Sequence, residues 1–401
     1  MPIEPTRDWK LLLSLLPANY EQLAVMHGLL KLQWKNSKIT SAADLLRLFF
    51  VHAGADVPLR QTVALVGEAG GPRISAVVLH KKMRTAAPFL GDLIAQLCAT
   101  SREAEPELWG GYELLAMDGS TVSGPGAEGI DARMHTVIRI TDLRTVHVKV
   151  TGVSEGETLR RFSWLPGQLV IADRGYANAP GIVWVADQGA DVLVRVNRGA
   201  LPLYDDGAVL DVIGWLRTLK GHRAFERHVT VRRWTRGHLR EVTGRLIGFR
   251  LPDAEAAEAR ARVLKEHGTS TTDEMLEAAS YVALFTTAPA ARLSAARCVE
   301  AYRLRWQIEL QFKRWKSLCR FDRLPNYRDD TIQAWLSIKI LLGLLLDKIG
   351  SAAAELSPPD PNVEIRRAVR FRRSAHRAPA VEAHEHHLAD DARGDSAHRV
   401  A

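Results

Sequence analysis

A chain of 401 residues is too long for one small core, and its 46% hydrophobic and 25% charged content is that of a folded globular protein, not a disordered or fibrous one. Lys and Arg outnumber Asp and Glu by 54 to 46, a formal net charge of +8, which favours a polyanionic partner without establishing one. Three widely spaced cysteines, Cys98, Cys298 and Cys319, argue against a disulfide framework or a zinc site and suit a reducing compartment. The longest late apolar run, 340–346, is far short of the ~20 residues that cross a membrane, and Glu4 and Asp8 exclude a signal peptide.

Residues 1–105 read as helical. Ser41 is a good N-cap for an apolar helix through Leu45, Leu46, Leu48, Phe49 and Phe50 that Gly54 ends. Pro58 opens a second helix, Gly70-Gly71-Pro72 makes a turn, and Ser75 caps a third that carries Lys81, Lys82 and Arg84. Helix, glycine turn and basic helix fit a helix-turn-helix DNA reader, and equally a plain helical bundle.

From 106 to 199 the pattern changes to short apolar or alternating strands at 113–117, 136–141, 145–151, 169–172 and 192–196, with a helix at 182–187. Asp142-Leu143-Arg144 is read as a hairpin turn. Strands alternating with a helix predict a mixed α/β sheet. Two of these strands are expected to end in acids, Asp118-Gly119-Ser120 and Asp173-Arg174-Gly175. In an open sheet such ends are where ligands gather, although each Asp alone reads more readily as a turn residue. His135 and Glu157 lie between the two motifs and are read as packing or solvated residues.

Residues 200–279 read as a β-rich insertion, with a basic hairpin at 227–234 and 240–249 and an alanine-rich helix at 254–266. Trp234 on that hairpin is read as a packing residue before a base-stacking one. Residues 280–350 return to the core through a strand at 281–287, one long helix from 293 to about 321, and another at 332–349. The segment 351–401 is crowded with Arg, His, Ala, Asp and Pro and is expected to be a disordered tail, with His384, His386 and His387 solvated rather than ligating.

On the long helix, Tyr302, Arg305, Glu309 and Lys316 fall within one ~60° stripe at 3.6 residues per turn, while Leu304, Ile308 and Trp315 form a separate apolar stripe. Spacing alone leaves two readings open: a third acid facing Asp118 and Asp173, or an exposed face with an Arg305–Glu309 pair.

The stripe reproduces Y-x2-R-x3-E-x6-K, and with the Asp118-Gly119-Ser120 and Ala172-Asp173-Arg174-Gly175-Tyr176 segments the chain resembles the insertion-sequence-four (IS-four) family of DDE transposases from about residue 40 to about 346. Arg60 and Ser75 lie in a stretch similar to that family's helical DNA-binding region. The resemblance implies an RNase H-like fold and cut-and-paste transposition by metal-dependent phosphodiester hydrolysis and strand transfer. Asp118, Asp173 and Glu309 are the implied catalytic, metal-binding acids for two Mg²⁺ ions, with Mn²⁺ as a substitute. Tyr302, Arg305 and Lys316 are implied DNA contacts. The implied partners are transposon-end and target duplex DNA and a second copy of the chain, with no membrane, in a bacterial cytoplasm at the nucleoid. Two rival readings stand beside it: a truncated, inactive copy, and an RNase H-like nuclease that binds or cuts DNA without transposing it.

Overall fold

The computed structural model describes residues 5–30, 38–123, 132–152, 154–235, 237–321, 324 and 329–356. The 351–401 expectation and the three tail histidines therefore lie largely or wholly outside the described residues.

Six helices open the chain: α1 (Pro5–Ser14), α2 (Tyr20–Met26), α3 (Ala42–Phe49), α4 (Leu59–Glu68), α5 (Ala76–Arg84) and α6 (Ala87–Glu103). Ser41 and Ser75 cap α3 and α5 as the sequence reads, accepting from the Asp44 and Val78 amides. Past Phe49 the backbone continues as one π-helical turn, Phe50–Gly54, before it stops.

The strands are β1 (Glu113–Val122), β2 (Ala132–Arg139), β3 (Thr145–Thr151), β4 (Gln168–Ala172), β5 (Asp191–Arg195), β6 (Leu203–Asp205), β7 (Ala208–Val209), β8 (Phe225–Thr235), β9 (His238–Arg250) and β10 (Tyr281–Thr286). They form one sheet in the order β3-β2-β1-β4-β5-β10-β9-β8-β6-β7. β1, β2 and β3 are antiparallel neighbours, and β4 and β5 run parallel to β1. Those five strands are the mixed α/β, RNase H-like core that was expected. The hairpin of β8 and β9 is not a separate layer: β9 pairs with β10 over its last six residues, so the β-rich segment extends the same sheet.

Two helices, α7 (Ala179–Asp187) and α8 (Val212–Arg217), cover one face of the sheet with Trp164. The opposite face packs on α11 (Ala295–Leu304), α12 (Gln307–Cys319), α13 (Asp329–Leu356) and the N-terminal helices in one continuous apolar cluster. Helices α9 (Asp253–His267) and α10 (Asp273–Ala278) lie between β9 and β10 in sequence. A buried arginine ties the N-terminal helices to the sheet: Arg139 donates to the carbonyls of Ser101 and Ala104 at the end of α6 and to Asp142 and Glu113. With its donors satisfied, its burial is compatible with a stable core.

Two sequence expectations are corrected. The strand read as stopping at Met117 continues through Asp118 to Val122, because β2 pairs with it from Leu115↔Arg139 to Val122↔Ala132 and keeps the backbone extended through Asp-Gly-Ser. The single helix expected from 293 to about 321 is broken at Arg305-Trp306. There the amides of Arg305, Ile308 and Glu309 bond three residues back instead of four, which tightens the turn between α11 and α12. The buried positions Cys298, Ala301, Leu304, Ile308, Phe312 and Trp315 still step by three and four across the break, so one apolar face spans both helices.

Candidate active site

The last pair of the parallel β1–β4 ladder is Met117↔Ala172, and the last of β4–β5 is Ala172↔Val194. The next residue on each strand is Asp118, Asp173 and Arg195, so these three stand side by side where the ladders end. Alternation along β1 puts Asp118 on the face of Leu114 and Ala116, the face that packs on α11 to α13. Asp173 also initiates a 3-10 turn, Arg174–Tyr176.

The break between α11 and α12 delivers three side chains to these ends. The Tyr302 hydroxyl donates to Asp173 Oδ1 at 3.0 Å. Arg305 donates through one terminal nitrogen to Asp118 Oδ2 at 3.3 Å and through the other to Glu309 Oε1 at 2.9 Å. The Arg305 side chain is 12% exposed and Asp118 20%, so the contacts are shielded from bulk water. Five of the six predicted site residues thus fall in two hydrogen-bonded groups, Asp173 with Tyr302 and Asp118 with Arg305 and Glu309, coupled by the opposite charges of Asp173 and Arg305. The sixth, Lys316, is half-buried seven residues beyond Glu309, about 10 Å along the helix axis.

Electrostatics differ sharply between the two aspartates. Burial pushes Asp118 up to about 7; Arg305 opposes this, while Asp173 and Glu157 add to it. Burial also disfavours charge on Asp173, but Arg305, Arg195, the Arg174 amide and the Tyr302 hydroxyl outweigh it and hold that carboxyl below its usual range. Burial works against Arg305 as well, yet Tyr302, Asp173, Asp118 and Glu309 keep its guanidinium firmly protonated. One cation therefore sits among three acids from three separate stretches of chain.

A metal ion is the obvious alternative occupant. Among the described residues, no three His, Cys, Asp or Glu side chains are grouped closely enough to hold an ion as they stand. The Arg305 guanidinium lies between Asp118 and Glu309. The donor set itself, all carboxylate oxygen, fits a hard divalent cation.

Sequence reasoning missed two residues here. Arg195 lies within a strand, 192–196, that was read only as buried, and its place beside Asp173 is set by sheet order. Glu157 was set aside, and its charge reaches both Asp118 and Tyr176. His135, set aside with it, is a buried residue: its Nε2 shares a hydrogen bond with Thr151 Oγ1 at 3.0 Å, and burial with nearby Arg161, Arg133 and Lys149 pushes its imidazole down to about 3. Trp234, read as a packing residue, stands 70% exposed at the end of the β8–β9 hairpin opposite Leu239.

Residues 109–345 match the transposase DDE domain family. The chain belongs to the IS-four family of DDE transposases. It is 32% identical over 332 residues to InsL of Escherichia coli K12, assigned as the transposase of insertion sequence element IS186A, covering 81% of this chain and 89% of that protein. It is 33% identical over 333 residues, with the same coverage, to the Escherichia coli transposase for insertion sequence element IS421. A cryo-EM structure of the piggyBac transposase synaptic complex with hairpin DNA aligns more distantly, with a TM-score of 0.42 and 10% identity over 95% of this chain and 84% of that one. As a member of the family, the transposase is a DNA-binding enzyme of insertion-sequence transposition that works with divalent metal. No helix among its described residues is long and apolar enough to cross a membrane.

Proposed function

We propose that Asp118, Asp173 and Glu309 are the catalytic acids of this transposase, holding two Mg²⁺ ions, or Mn²⁺ in their place, for cleavage of transposon ends and joining to target DNA. What supports the reading is the contact of Asp118 and Glu309 with the Arg305 guanidinium and the reach of the Asp173 charge to it, a shielded position already suited to positive charge. Asp118, Asp173 and Glu309 would together hold the ions. Bound there, the ions polarise the scissile phosphate and ease deprotonation of the attacking hydroxyl.

The chain's own residues do the rest. Arg305 releases its acids when ions bind, and its freed guanidinium then faces the phosphate beside the cut, where a planar two-pronged donor suits two phosphate oxygens. Lys316, two turns further along α12, extends the same line of positive charge over the DNA backbone. The Tyr302 hydroxyl keeps Asp173 oriented and charged. The exposed Lys81 and Arg84 on the Ser75-capped α5 are the proposed contacts to the transposon end. The enzyme would act as a homodimer on two ends, at the nucleoid of a bacterial cytoplasm.

A plasmid carrying both element ends tests this. Wild type with Mg²⁺ is expected to nick the ends and join them to a second DNA. Asp118→Asn, Asp173→Asn and Glu309→Gln should each lose more than about a hundredfold in cleavage while still shifting end DNA in a gel. Full cleavage by any of the three removes that residue from the assignment. Cutting without joining by the wild type would favour a plain RNase H-like nuclease.

A further inference from the structure

Glu157 lies in the segment between β3 and the 3-10 turn Leu159–Arg161, and its carboxylate occupies a notch that two glycines leave open. A Cβ at Gly119 would stand 3.0 Å from its Oε1, and one at Gly175 would stand 2.3 Å from its Oε2. Gly119 directly follows Asp118, and Gly175 comes two residues after Asp173. One carboxylate thus spans the gap between the two backbone segments that carry the aspartates. Neither glycine has the positive φ that would itself demand glycine. What a Cβ would meet first at both places is the carboxylate of Glu157.

A second observation marks the same notch. The Tyr176 hydroxyl is fully buried and has no hydrogen-bond partner in the described structure, and it lies 3.3 Å from the Gly119 Cβ position. Glu157, Asp118, Arg133 and Arg161 all act on it electrostatically. A buried polar atom left unsatisfied is costly, so its retention beside the acids points to a site that is completed on loading.

We propose that Glu157 is a positioning residue of the metal site, seated between the Asp118 and Asp173 segments so as to hold the two carboxylates at a fixed separation and to supply a fourth negative charge behind them. This rests on the assignment of Asp118, Asp173 and Glu309 as the cation-binding acids. The rival role is a structural one, in which Glu157 serves only the packing of its own segment near Arg133 and Arg161. The two roles differ in a measurable way. A positioning residue sets how tightly a divalent ion binds, as the groups behind metal ligands do, whereas a packing residue sets only stability.

The test is calorimetric titration of the full-length, DNA-free protein with MnCl₂, paired with melting in chelator and with cleavage of end DNA across a Mn²⁺ series. Glu157→Gln is expected to weaken Mn²⁺ binding by roughly 10- to 100-fold, with cleavage recovered at high Mn²⁺. Its melting in chelator should stay close to that of the wild type. Gly175→Ala keeps the carboxylate but takes its seat, and only the flexible end of Glu157 must move to admit the methyl group, so it should fold and show the same loss. Wild-type Mn²⁺ affinity in Glu157→Gln overturns the proposal. Should Glu157→Gln fail to fold, Gly175→Ala decides: weakened binding supports the role and unchanged binding overturns it. Asp118→Asn runs alongside. Unchanged Mn²⁺ binding in that variant would mean that the three-acid assignment itself has failed, whereas its loss together with normal binding in Glu157→Gln would sink the Glu157 role alone.

Discussion

Arg305 shows how one side chain can hold buried acids together. Three carboxylates facing one another in a shielded pocket repel, and each would pay desolvation without return unless a cation lies among them. In the ligand-free chain the guanidinium fills that role through its contacts to Asp118 and Glu309. Arg305→Ala is therefore expected to lower stability in chelator by about 3–5 kcal/mol, the range for breaking a buried pair and stranding its partner. Mn²⁺ should then raise the melting temperature of the variant more than that of the wild type, because the ion no longer competes with a guanidinium. Thermal melts with and without Mn²⁺ measure both effects, and a variant that melts like wild type in chelator would show that the acids need no internal cation. The sequence placed Tyr302, Arg305 and Glu309 on one face correctly. It could not show that this face touches Asp118 and Asp173, because those contacts span 129 and 187 residues of chain.

Among the elements, α12 and α13 decide where Glu309 sits. Trp315 on α12 packs against Gly343 of α13, where a Cβ would stand 3.0 Å from the indole nitrogen, so glycine lets the two helices approach without displacing the indole. The end of α12 is pinned by Lys339 of α13, which is fully buried and donates to the Cys319 carbonyl at 2.7 Å and to Asp56 Oδ1 at 2.8 Å. Asp56 belongs to the loop after the π-helical turn, so a single ammonium joins the N-terminal helices, the Glu309 helix and α13. Lys339→Met should cost about 2–4 kcal/mol in urea unfolding, since it leaves Asp56 and a carbonyl without that donor. Adding Asp56→Asn should recover part of the loss; a neutral Lys339→Met would show that the pin contributes nothing. Periodicity located both helices, and the capping serines located α3 and α5. The break at Arg305-Trp306 was not legible, because no Gly or Pro marks it and the apolar spacing runs straight through.

At the scale of the whole molecule, the N-terminal helices are not an appendage. They share one apolar cluster with the sheet and with α13, including Leu45, Phe49, Phe89, Leu93, Leu336 and Leu341. Removing residues 1–105 would expose that face of α13 and the sheet. The fragment 106–401 is expected to lose cooperative thermal unfolding and to bind a hydrophobic dye, where the full chain melts in one transition. A fragment with a sharp melt would instead mark residues 1–105 as an independent unit.

The sequence by itself determined the family. The residue types and spacings of Asp118, Asp173 and the Tyr302–Lys316 stripe identify the family, because local spacing on a helix and at strand ends is written in consecutive residues. It also determined most of the elements, since alternation, three-to-four periodicity and capping are short-range signals. Tertiary structure alone decided that β8 and β9 join the core sheet, that Arg195 flanks Asp173, that Arg305 stands between Asp118 and Glu309, and that Glu157 fills the space beside Gly119 and Gly175. Each of these depends on which distant segments become neighbours. That choice is made by burial and hydrogen bonding over the whole chain, and no window of consecutive residues contains it.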